Sequence, residues 1–494
     1  MSVKPYITLL FVVSVLTILL LISMIFPDNG IRISENFKLR FTTPREIFRV
    51  EETKYADISN ILESNELLTD SVLAELVEEK TEIKFDTVRA NADSLRKSIS
   101  FIKFPNGNKE SLYKTFRAFD MASASANPVR IMHYGDSQIE GDRITSFLRN
   151  RLQKKFGGTG VGLVPVQQVY DFKYSITQEN SDNWYRYTLY GNRDTTITHD
   201  RFGALASFCR FTPYYNDTTK ELHPEKEAWV SFSPSNYSFT NTKSFQQCRV
   251  FYSHNEQPFM AEIFVDGSLY DADFFPESNG LKTIRWRFDQ PVSNAELVFK
   301  GNESPEIYGI ALDGISGVAV DNIAMRGNAG LVFCKMDKDL LHAHYKELNV
   351  KLFILQFGGN VVPYMKGNFD YYERLFFSQL RRIHDLVPDA AIIVIGVADM
   401  STKEKGRYIS YPNIENIRNA LQSATFRAGA AYWDMYEAMG GKNSMPSWVF
   451  ANPPIASKDF VHFNTKGAKI IAHMFYNSLM YEYNLYKRNN TSSQ

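Results

Sequence analysis

Three short polar stretches of this sequence contain residue types that suit nucleophilic catalysis. Ser137 follows a glycine and an aspartate in RIMHYGDSQIEGD, residues 130–142. Far downstream, SKDFVHFNTKG contains Asp459 and His462 with two residues between them, and FGGN ends at Asn360. A serine hydroxyl becomes a nucleophile when a histidine accepts its proton, and a carboxylate can orient that histidine. The residue types therefore favour acyl transfer through Ser137.

Each of these residues also has an ordinary structural explanation when it is considered alone. Serine is a favoured N-cap, so Ser137 could simply begin the helix that follows it. Asn360 could close a turn, and Asp459 could cap the last helix of the chain. His462 could be a surface histidine. The chemical interpretation therefore depends on whether the fold brings these stretches together.

The elements that must position them alternate between strands and helices. An apolar strand at 129–134 precedes Ser137, and apolar residues at helical spacing follow from Ile144 to Leu152. Strands and helices alternate again from about residue 315, which predicts a parallel sheet with helices on both faces. Ligands of such sheets bind beyond the carboxyl ends of the strands. All three polar stretches lie at predicted strand ends, so we expect them to meet there.

A strand-rich block separates the two parts of this α/β pattern. Asp266-Gly267 between two apolar runs predicts a hairpin. Ile284, Trp286 and Phe288 alternate with arginines, which is typical of a strand with one buried face. These runs predict a β-sandwich inserted into a single α/β domain. The predicted segments are a membrane anchor (1–27), a stalk (28–100), the first part of the α/β domain (101–169), the inserted β-sandwich (170–312) and the second part of the α/β domain (313–494).

The N-terminus contains twenty consecutive uncharged residues, from Ile7 to Phe26. A helix of this length spans roughly 30 Å, about the thickness of a membrane hydrocarbon core. Lys4 precedes the segment, which predicts a cytoplasmic N-terminus and a body on the other side of the membrane. A cleaved signal peptide is the alternative, but its apolar core is usually shorter and ends at a small-residue site. We therefore predict an uncleaved transmembrane helix.

Length and composition limit the number of domains and the kinds of function that the chain can have. The chain has 494 residues, which favours two or three domains, and its formal net charge of zero argues against a broad nucleic-acid-binding surface. Aromatic residues make up 14%, which indicates a large strand-rich core, with a carbohydrate-facing surface as the alternative. The spacing of the three cysteines suits no metal site. A disulfide between Cys209 and Cys248 and three free thiols both remain open.

Four short blocks in a fixed order resemble those of the SGNH hydrolases, the GDSL-like esterase superfamily. The first is Gly135-Asp136-Ser137, the third is Gly358-Gly359-Asn360, and the last is the pair Asp459 and His462. The second is a single glycine, best matched by Gly327 in DNIAMRGNAG, with Gly314, Gly317 and Gly330 nearby. The resemblance covers roughly 125–165 and 315–485. It implies a flavodoxin-like three-layer fold with a parallel sheet, and no metal or cofactor.

The resemblance also implies a role for each matched residue. Ser137 is expected to be the nucleophile, His462 its base, and Asp459 the carboxylate that orients the histidine. The backbone N–H groups of Ser137 and Gly327 and the side-chain amide of Asn360 are expected to form the oxyanion hole. Four further residues, whose roles we expect to be structural, are Asp136, His133, His342 and His344.

The first block and the insertion together resemble peptidoglycan O-acetylesterases that carry an inserted carbohydrate-binding-like module. This resemblance implies hydrolysis of O-acetyl groups on a cell-envelope glycan, peptidoglycan or an exopolysaccharide, through an acetyl-Ser137 intermediate. It implies an inner-membrane anchor with the catalytic domain in the periplasm. Two alternatives stay open: an O-acetyltransferase that uses the same residues with a membrane partner, and an inactive glycan-binding protein. The G-x-S-x-G elbow of α/β-hydrolases is absent around Ser137.

Overall fold

The computed structural model describes residues 5–25, 27, 31–34, 37–39, 54–78, 82–84, 89–170, 172–215 and 223–491. It divides into two compact units, Met1–Lys54 and Tyr55–Gln494. The helices in these ranges are α1 Pro5–Ile25, α2 Ser59–Leu67, α3 Asp70–Val77, α4 Ala92–Ser98, α5 Glu110–Asp120, α6 Thr145–Phe156, α7 Lys338–Glu347, α8 Phe369–Leu386, α9 Ile414–Arg427, α10 Met435–Ala438, α11 Ser444–Phe450 and α12 Thr465–Thr491.

The strands are β1 Ile31–Ser34, β2 Phe37–Leu39, β3 Glu82–Lys84, β4 Arg89–Asn91, β5 Val129–Gly135, β6 Gly162–Val164, β7 Thr177–Asn180, β8 Tyr185–Thr188, β9 Ser207–Arg210, β10 Lys226–Ser233, β11 Phe245–Ser253, β12 Phe259–Val265, β13 Ser268–Phe275, β14 Lys282–Val292, β15 Ala295–Gly301, β16 Glu306–Asp313, β17 Val318–Ala324, β18 Val350–Gln356, β19 Ala391–Ile395, β20 Ser401–Glu404, β21 Arg407–Ser410 and β22 Ala431–Trp433. Short 3₁₀ segments include Ser137–Asp142.

The N-terminal unit contains α1 and the antiparallel pair β1–β2. The 21 residues of α1 are numerous and apolar enough to cross a membrane, with a mean hydropathy of 2.8, and a signal sequence near the N-terminus can have the same length and composition. Length and composition therefore agree with the predicted anchor but do not distinguish it from a signal sequence.

The second unit is built on a five-stranded parallel sheet with the strand order β17–β5–β18–β19–β22. The predicted parallel α/β sheet is confirmed. Gly135 at the end of β5 is level with Ala324 on β17 and with Gln356 on β18. The carboxyl ends of these three strands therefore form one continuous edge.

Helices cover both faces of this sheet because successive side chains of each strand point to opposite sides. Ile131 of β5 packs into one apolar cluster together with side chains of α5, α6 and α12. Met132 and Tyr134 pack into the other cluster, with side chains of α7, α8 and α9. Both faces of β5 are buried, which explains why this strand reads as a continuous apolar run.

Part of the segment predicted as a stalk packs against the α/β body. Leu73 and Leu76 of α3 are fully buried in the same cluster as α12. Asp70 at the start of α3 accepts a hydrogen bond from Arg151 at 2.8 Å and one from Tyr476 at 3.2 Å. The apolar face of α3 is unfavourable in water, so this part of 28–100 packs into the core. The sequence DSVLAELVEEKTEI, residues 70–83, predicts a helix. The helix observed there ends at Val77, Glu82 and Ile83 belong to β3, and residues 79–81 lie outside the described residues.

Two antiparallel sheets lie between β5 and β17 in sequence. One has the order β13–β12–β15–β10–β7 and the other the order β14–β11–β16–β9–β8, with β6 also paired to β16. Side chains of both sheets share one apolar cluster, for example Val230 and Leu297 from the first sheet and Val250 and Trp286 from the second. The antiparallel block therefore has a core of its own.

Local features of this block follow its sequence. The predicted hairpin joins β12 to β13, and Asp266 and Gly267 both have positive φ, at 48° and 81°, as a type I′ turn requires. All three cysteines are free thiols. Cys209 on β9 and Cys248 on β11 pair with opposite edges of β16, so an intervening strand separates them. The disulfide considered from the sequence is therefore absent.

Candidate active site

Ser137 begins the 3₁₀ segment that follows β5. The preceding turn needs a glycine, because a Cβ on Gly135 would lie 2.9 Å from the side chain of Ile139 and 3.0 Å from the carbonyl oxygen of Gln356. Asp136 caps the segment by accepting a hydrogen bond from the N–H of Gln138 at 3.0 Å. The cap role considered for Ser137 therefore belongs to Asp136, and the Ser137 hydroxyl is left for another partner.

That partner is His462. The Oγ of Ser137 lies 2.8 Å from Nε2 of His462, and Nδ1 of the same ring lies 2.8 Å from Oδ2 of Asp459. The structure thus brings together the three residues that the sequence predicted as nucleophile, base and carboxylate. A chain of this kind can carry the serine proton to the imidazole, while the carboxylate stabilises the imidazolium that forms.

Asp459 also holds its own loop in place. Its Oδ1 accepts the backbone N–H groups of Val461 at 2.9 Å and His462 at 3.0 Å. Capping of the last helix belongs to Asn464, whose Oδ1 accepts the N–H groups of Lys466 and Gly467 at 3.0 and 3.1 Å. The alternative explanation of Asp459 as the cap of that helix is therefore wrong.

The hydrogen bonds that Asp459 accepts favour its ionised form. Partial burial by itself would raise the pKa of Asp459, but the N–H and ring of His462 and the N–H of Val461 donate to the carboxylate and lower it overall. Asp136 behaves in the opposite way. Its burial raises its pKa to about 6, although the N–H groups of Gln138 and Gly359 and the nearby His462 oppose the shift.

Gln138 connects the two halves of the site. Its Nε2 donates a 2.6 Å hydrogen bond to the carbonyl oxygen of Val461, next to His462. The bond fixes the loop of the histidine against the turn of the serine. Sequence reasoning missed this residue because a polar side chain beside Ser137 gives no sign of a partner 323 positions away.

The predicted oxyanion-hole residues lie in the loops that follow the neighbouring strands. Gly327 is in the turn after β17 and Asn360 in the loop after β18. The Nδ2 of Asn360 donates to the carbonyl oxygen of Asn328 at 3.1 Å, which joins the two loops and leaves its second amide hydrogen free of that bond. Both loops lie at the carboxyl edge of the sheet, on either side of the Ser137 turn.

Packing separates Gly327 from the other glycines near it. A Cβ on Gly317 would lie 2.2 Å from the N of Gly158, and one on Gly330 would lie 2.9 Å from the rings of Phe357 and Phe376. Gly314 and Gly317 also precede β17 and so lie at the opposite edge of the sheet. Gly327 has open space around it and a φ of 75°, so its backbone conformation rather than close packing explains the glycine.

A second set of polar residues lies beside Ser137, and sequence reasoning missed it. Glu140, whose side chain is only 7% exposed, forms an ion pair with Arg326, with the Nε of Arg326 3.2 Å from Oε2. The Arg326 guanidinium also lies over the ring of Tyr170 at 4.2 Å. The pair joins the turn of Ser137 to the turn of Gly327. Glu140 and Arg326 are 186 positions apart, so no local pattern could predict the contact.

Two other histidines of the α/β body, His133 and His344, have structural surroundings. His133 is buried between Thr145, 2.9 Å from its Nδ1, and Gln356, 3.2 Å from its Nε2. His344 is buried, and its Nδ1 accepts the N–H of Ala204 at 3.2 Å. Burial lowers both pKa values, to about 4 for His133 and about 3 for His344. Within the described ranges, no three His, Cys, Asp or Glu side chains come together in a way that could hold a metal ion.

No protein-family model and no curated protein matches this sequence. Solved structures do match the fold. One is a peptidoglycan O-acetylesterase, with a TM-score of 0.58 and 21% identity over 76% of this chain and 97% of that one. The chain therefore has the SGNH, or GDSL-like, hydrolase fold.

Two further matches have much lower overall similarity. One is a protein described as a GDSL-like lipase from Parabacteroides merdae, with a TM-score of 0.26 and 14% identity over 33% of this chain and 74% of that one. The other is a family two carbohydrate esterase from Cellvibrio japonicus, with a TM-score of 0.23 and 7% identity over 62% of this chain and 99% of that one.

Proposed function

We propose that this protein is a serine esterase that removes O-acetyl groups from a cell-envelope glycan through an acetyl-Ser137 intermediate. The observation that carries the proposal is the hydrogen-bonded chain of Ser137, His462 and Asp459, with 2.8 Å at both steps. These three side chains lie at the carboxyl edge of a parallel sheet, where ligands of such folds bind.

The reaction follows from the roles of these side chains. The Oγ of Ser137 attacks the acetyl carbonyl carbon as its proton passes to Nε2 of His462, and the carbonyl oxygen becomes an oxyanion. The N–H groups of Ser137 and Gly327 and the amide of Asn360 stabilise that charge. The C–O bond to the sugar then breaks, and His462 returns the proton to the leaving sugar oxygen.

Water completes the cycle. It attacks the acetyl-Ser137 carbonyl while His462 takes one of its protons, and acetate leaves as that proton returns to Ser137 Oγ. The side chains of His462 and Asp459 are 28% and 48% exposed, so solvent reaches the base directly. This exposure favours water over a sugar hydroxyl as the acceptor of the acetyl group, because a transferase must keep water away from its acyl-enzyme.

The surroundings of the site support a glycan as the substrate. Phe172 and Tyr237 are 53% and 58% exposed, and their rings lie 5.7 Å apart. Tyr174, which contacts Tyr237, donates its N–H to the carbonyl oxygen of Gly141 at 2.9 Å, in the segment that begins at Ser137. Adjacent exposed aromatic rings offer apolar faces against which a sugar ring can pack. The solved structure that shares this fold at a TM-score of 0.58 is a peptidoglycan O-acetylesterase.

The domain arrangement and location form part of the same proposal. The two antiparallel sheets would form the inserted β-sandwich and help to hold the glycan. The helix α1 would anchor the chain in the inner membrane with its N-terminus in the cytoplasm, which places the site in the periplasm, where acetylated envelope glycans lie. The candidate partners are therefore the membrane, the acetylated glycan and, for a transferase, a membrane protein that supplies the acetyl group.

The test uses the full-length protein in detergent with an acetylated peptidoglycan fragment and an activated acetyl ester. We expect acetate release by the wild type and by Ser123→Ala, a control at an exposed serine, but not by Ser137→Ala. Acetylated acceptor glycan without free acetate would instead support the transferase. Tight glycan binding by a wild type that neither hydrolyses nor transfers acetyl groups would support the glycan-binding protein and contradict the esterase.

A further inference from the structure

A small cleft of about 40 Å³ opens beside the Ser137 turn. One wall contains Gly141 from that turn and Asn322 to Ala324 from the carboxyl end of β17. The other wall contains residues of the 165–173 connection and of the second antiparallel sheet, including Arg186 on β8. This volume holds roughly three water molecules, which is enough for one carboxylate group but not for a whole sugar. The cleft therefore lies where the α/β body meets the antiparallel block.

The charged residues lining this cleft are both cations, Lys173 and Arg186, and no lining residue in the described ranges is Asp or Glu. Within those ranges Lys173, which is half-buried, has no hydrogen bond or ion pair to another side chain or to the backbone. Arg186 donates from Nη2 to the hydroxyl of Tyr190 at 2.9 Å, but its buried Nε has no hydrogen-bond partner. Two cations therefore face the cleft, and no lining residue in the described ranges carries a negative charge.

This arrangement is unfavourable unless an anion enters the cleft. A half-buried charge without a partner loses hydration that nothing replaces. Burial lowers the pKa of Lys173 to about 8, which reflects that cost. Two carboxylates attract Lys173 electrostatically, Asp142 and Asp321, but both already have partners. Asp142 accepts hydrogen bonds from Arg149 at 2.6 Å and from Ser175, and Asp321 accepts them from Arg130 and from the N–H of Leu163.

The cleft lies next to the segment that begins at Ser137, because Gly141 of that segment lines it. Tyr170 lines the cleft, and the guanidinium of Arg326 lies over the Tyr170 ring, 4.2 Å from its centre. Arg326 is held by Glu140, three residues after Ser137. For a sugar whose acetyl group is at Ser137, a substituent that extends past Tyr170 would enter this cleft.

We propose that this cleft is a subsite for a carboxylate carried by the acetylated glycan, with Lys173 and Arg186 as its ligands. The inference rests on the proposed esterase function and specifies its substrate as an acidic glycan. A carboxylate can accept from the Lys173 ammonium and from the Arg186 guanidinium, and such charge-assisted bonds are among the strong ones in proteins.

The experiment compares an acetylated acidic oligosaccharide with the same compound after its carboxyl groups are converted to primary amides. In the full-length wild type, kcat/KM is expected to be about 10- to 100-fold higher for the acid, the range for loss of a charged hydrogen bond. Lys173→Gln and Arg186→Gln should each reduce this preference towards one. Lys226→Gln, at an exposed lysine on β10, should keep it.

Binding to Ser137→Ala separates this inference from the proposed function. Calorimetry with the deacetylated acid and its amide measures the preference without any reaction, and thermal melting checks that each variant is folded. A preference for the acid that disappears in Lys173→Gln supports the subsite even if the wild type hydrolyses neither compound. Equal affinity for acid and amide, or a preference that Lys173→Gln and Arg186→Gln leave intact, would overturn the subsite while an active wild type kept the esterase.

Discussion

The Oγ of Ser137 lies 2.8 Å from Nε2 of His462, although 325 positions separate the two residues. Two independent features hold them there. The turn after β5 is shaped by Gly135 and capped by Asp136, and the histidine loop is held by Asp459 and by the hydrogen bond from Gln138 to Val461. A serine and a histidine fixed from both sides have the preorganisation that acyl transfer requires.

Replacing the carboxylate of Asp459 should affect catalysis more than folding. Asp459→Asn keeps an oxygen that can accept the N–H groups of Val461 and His462, but it removes the negative charge that stabilises an imidazolium. We expect kcat for ester hydrolysis to fall by about 10²- to 10⁴-fold, with the melting temperature nearly unchanged. Asp389→Asn, at an exposed carboxylate, is the matched control. A kcat within twofold of wild type would contradict the role of Asp459.

Asn360 should contribute through its amide donor. Asn360→Ala removes the amide, and loss of one oxyanion-hole donor usually costs about 10²- to 10³-fold in kcat. We expect a fall in this range with a small change in KM, because the donor acts on charge that develops only in the transition state. Steady-state kinetics with an activated acetyl ester measures both constants. A large rise in KM with unchanged kcat would place Asn360 in substrate binding instead.

The ion pair of Glu140 and Arg326 should act as one unit that positions the turns of Ser137 and Gly327. Arg326→Gln is expected to lower kcat by about 10- to 100-fold through misplacement of those turns, and Arg326→Lys should recover part of it. In a double-mutant cycle, Glu140→Gln should add little once Arg326 is replaced. If the two losses multiply instead, the residues act independently and the pair has no shared positioning role.

Buried histidines should make the protein less stable in mild acid. Histidine titrates near ~6.5 in an unfolded chain, whereas burial lowers the pKa of His344 to about 3 and that of His133 to about 4. Between about pH 6.5 and 4 the unfolded state binds protons that these native histidines do not, so the free energy of unfolding falls with pH. His344→Asn should reduce that slope by about 1 kcal/mol per pH unit.

The comparison must be made between variant and wild type, because other groups act in the opposite direction. Burial raises the pKa of Asp136 and of Asp399 to about 6, so these native carboxylates bind protons before the unfolded ones do and stabilise the fold as pH falls towards 4. Urea denaturation of wild type and His344→Asn at pH 7 and pH 5 gives the difference. Equal slopes in the two proteins would show that His344 does not titrate as described.

The sequence predicts the parts of this molecule that local patterns determine. The apolar run of β5, the alternating residues of β14 and the Asp266-Gly267 turn all appear as expected, because each depends on neighbours along the chain. The order of the blocks also predicts that Ser137 and His462 share one edge of the sheet. The distances themselves and the partner of Gln138 depend on how distant loops pack.

Long-range packing also explains what the sequence did not predict. The partners Glu140 and Arg326 belong to different loops, and Lys173 and Arg186 line one cleft only because the antiparallel block packs beside β17. The mixed charge of 28–100 suggested a stalk, whereas Leu73 and Leu76 are buried against α12. Such contacts depend on the complementary surface elsewhere in the chain, which local composition does not reveal.

The central claim, that His462 activates Ser137 as a nucleophile, is tested most directly by covalent labelling. A fluorophosphonate reacts with an activated serine by forming an O–P bond as fluoride leaves, and His462 would take the serine proton. Mass spectrometry of the labelled full-length protein should show one adduct on the peptide that contains Ser137, none there in Ser137→Ala, and a labelling rate reduced by at least about 10²-fold in His462→Ala. An unlabelled Ser137, or a rate that His462→Ala leaves unchanged, would contradict the account.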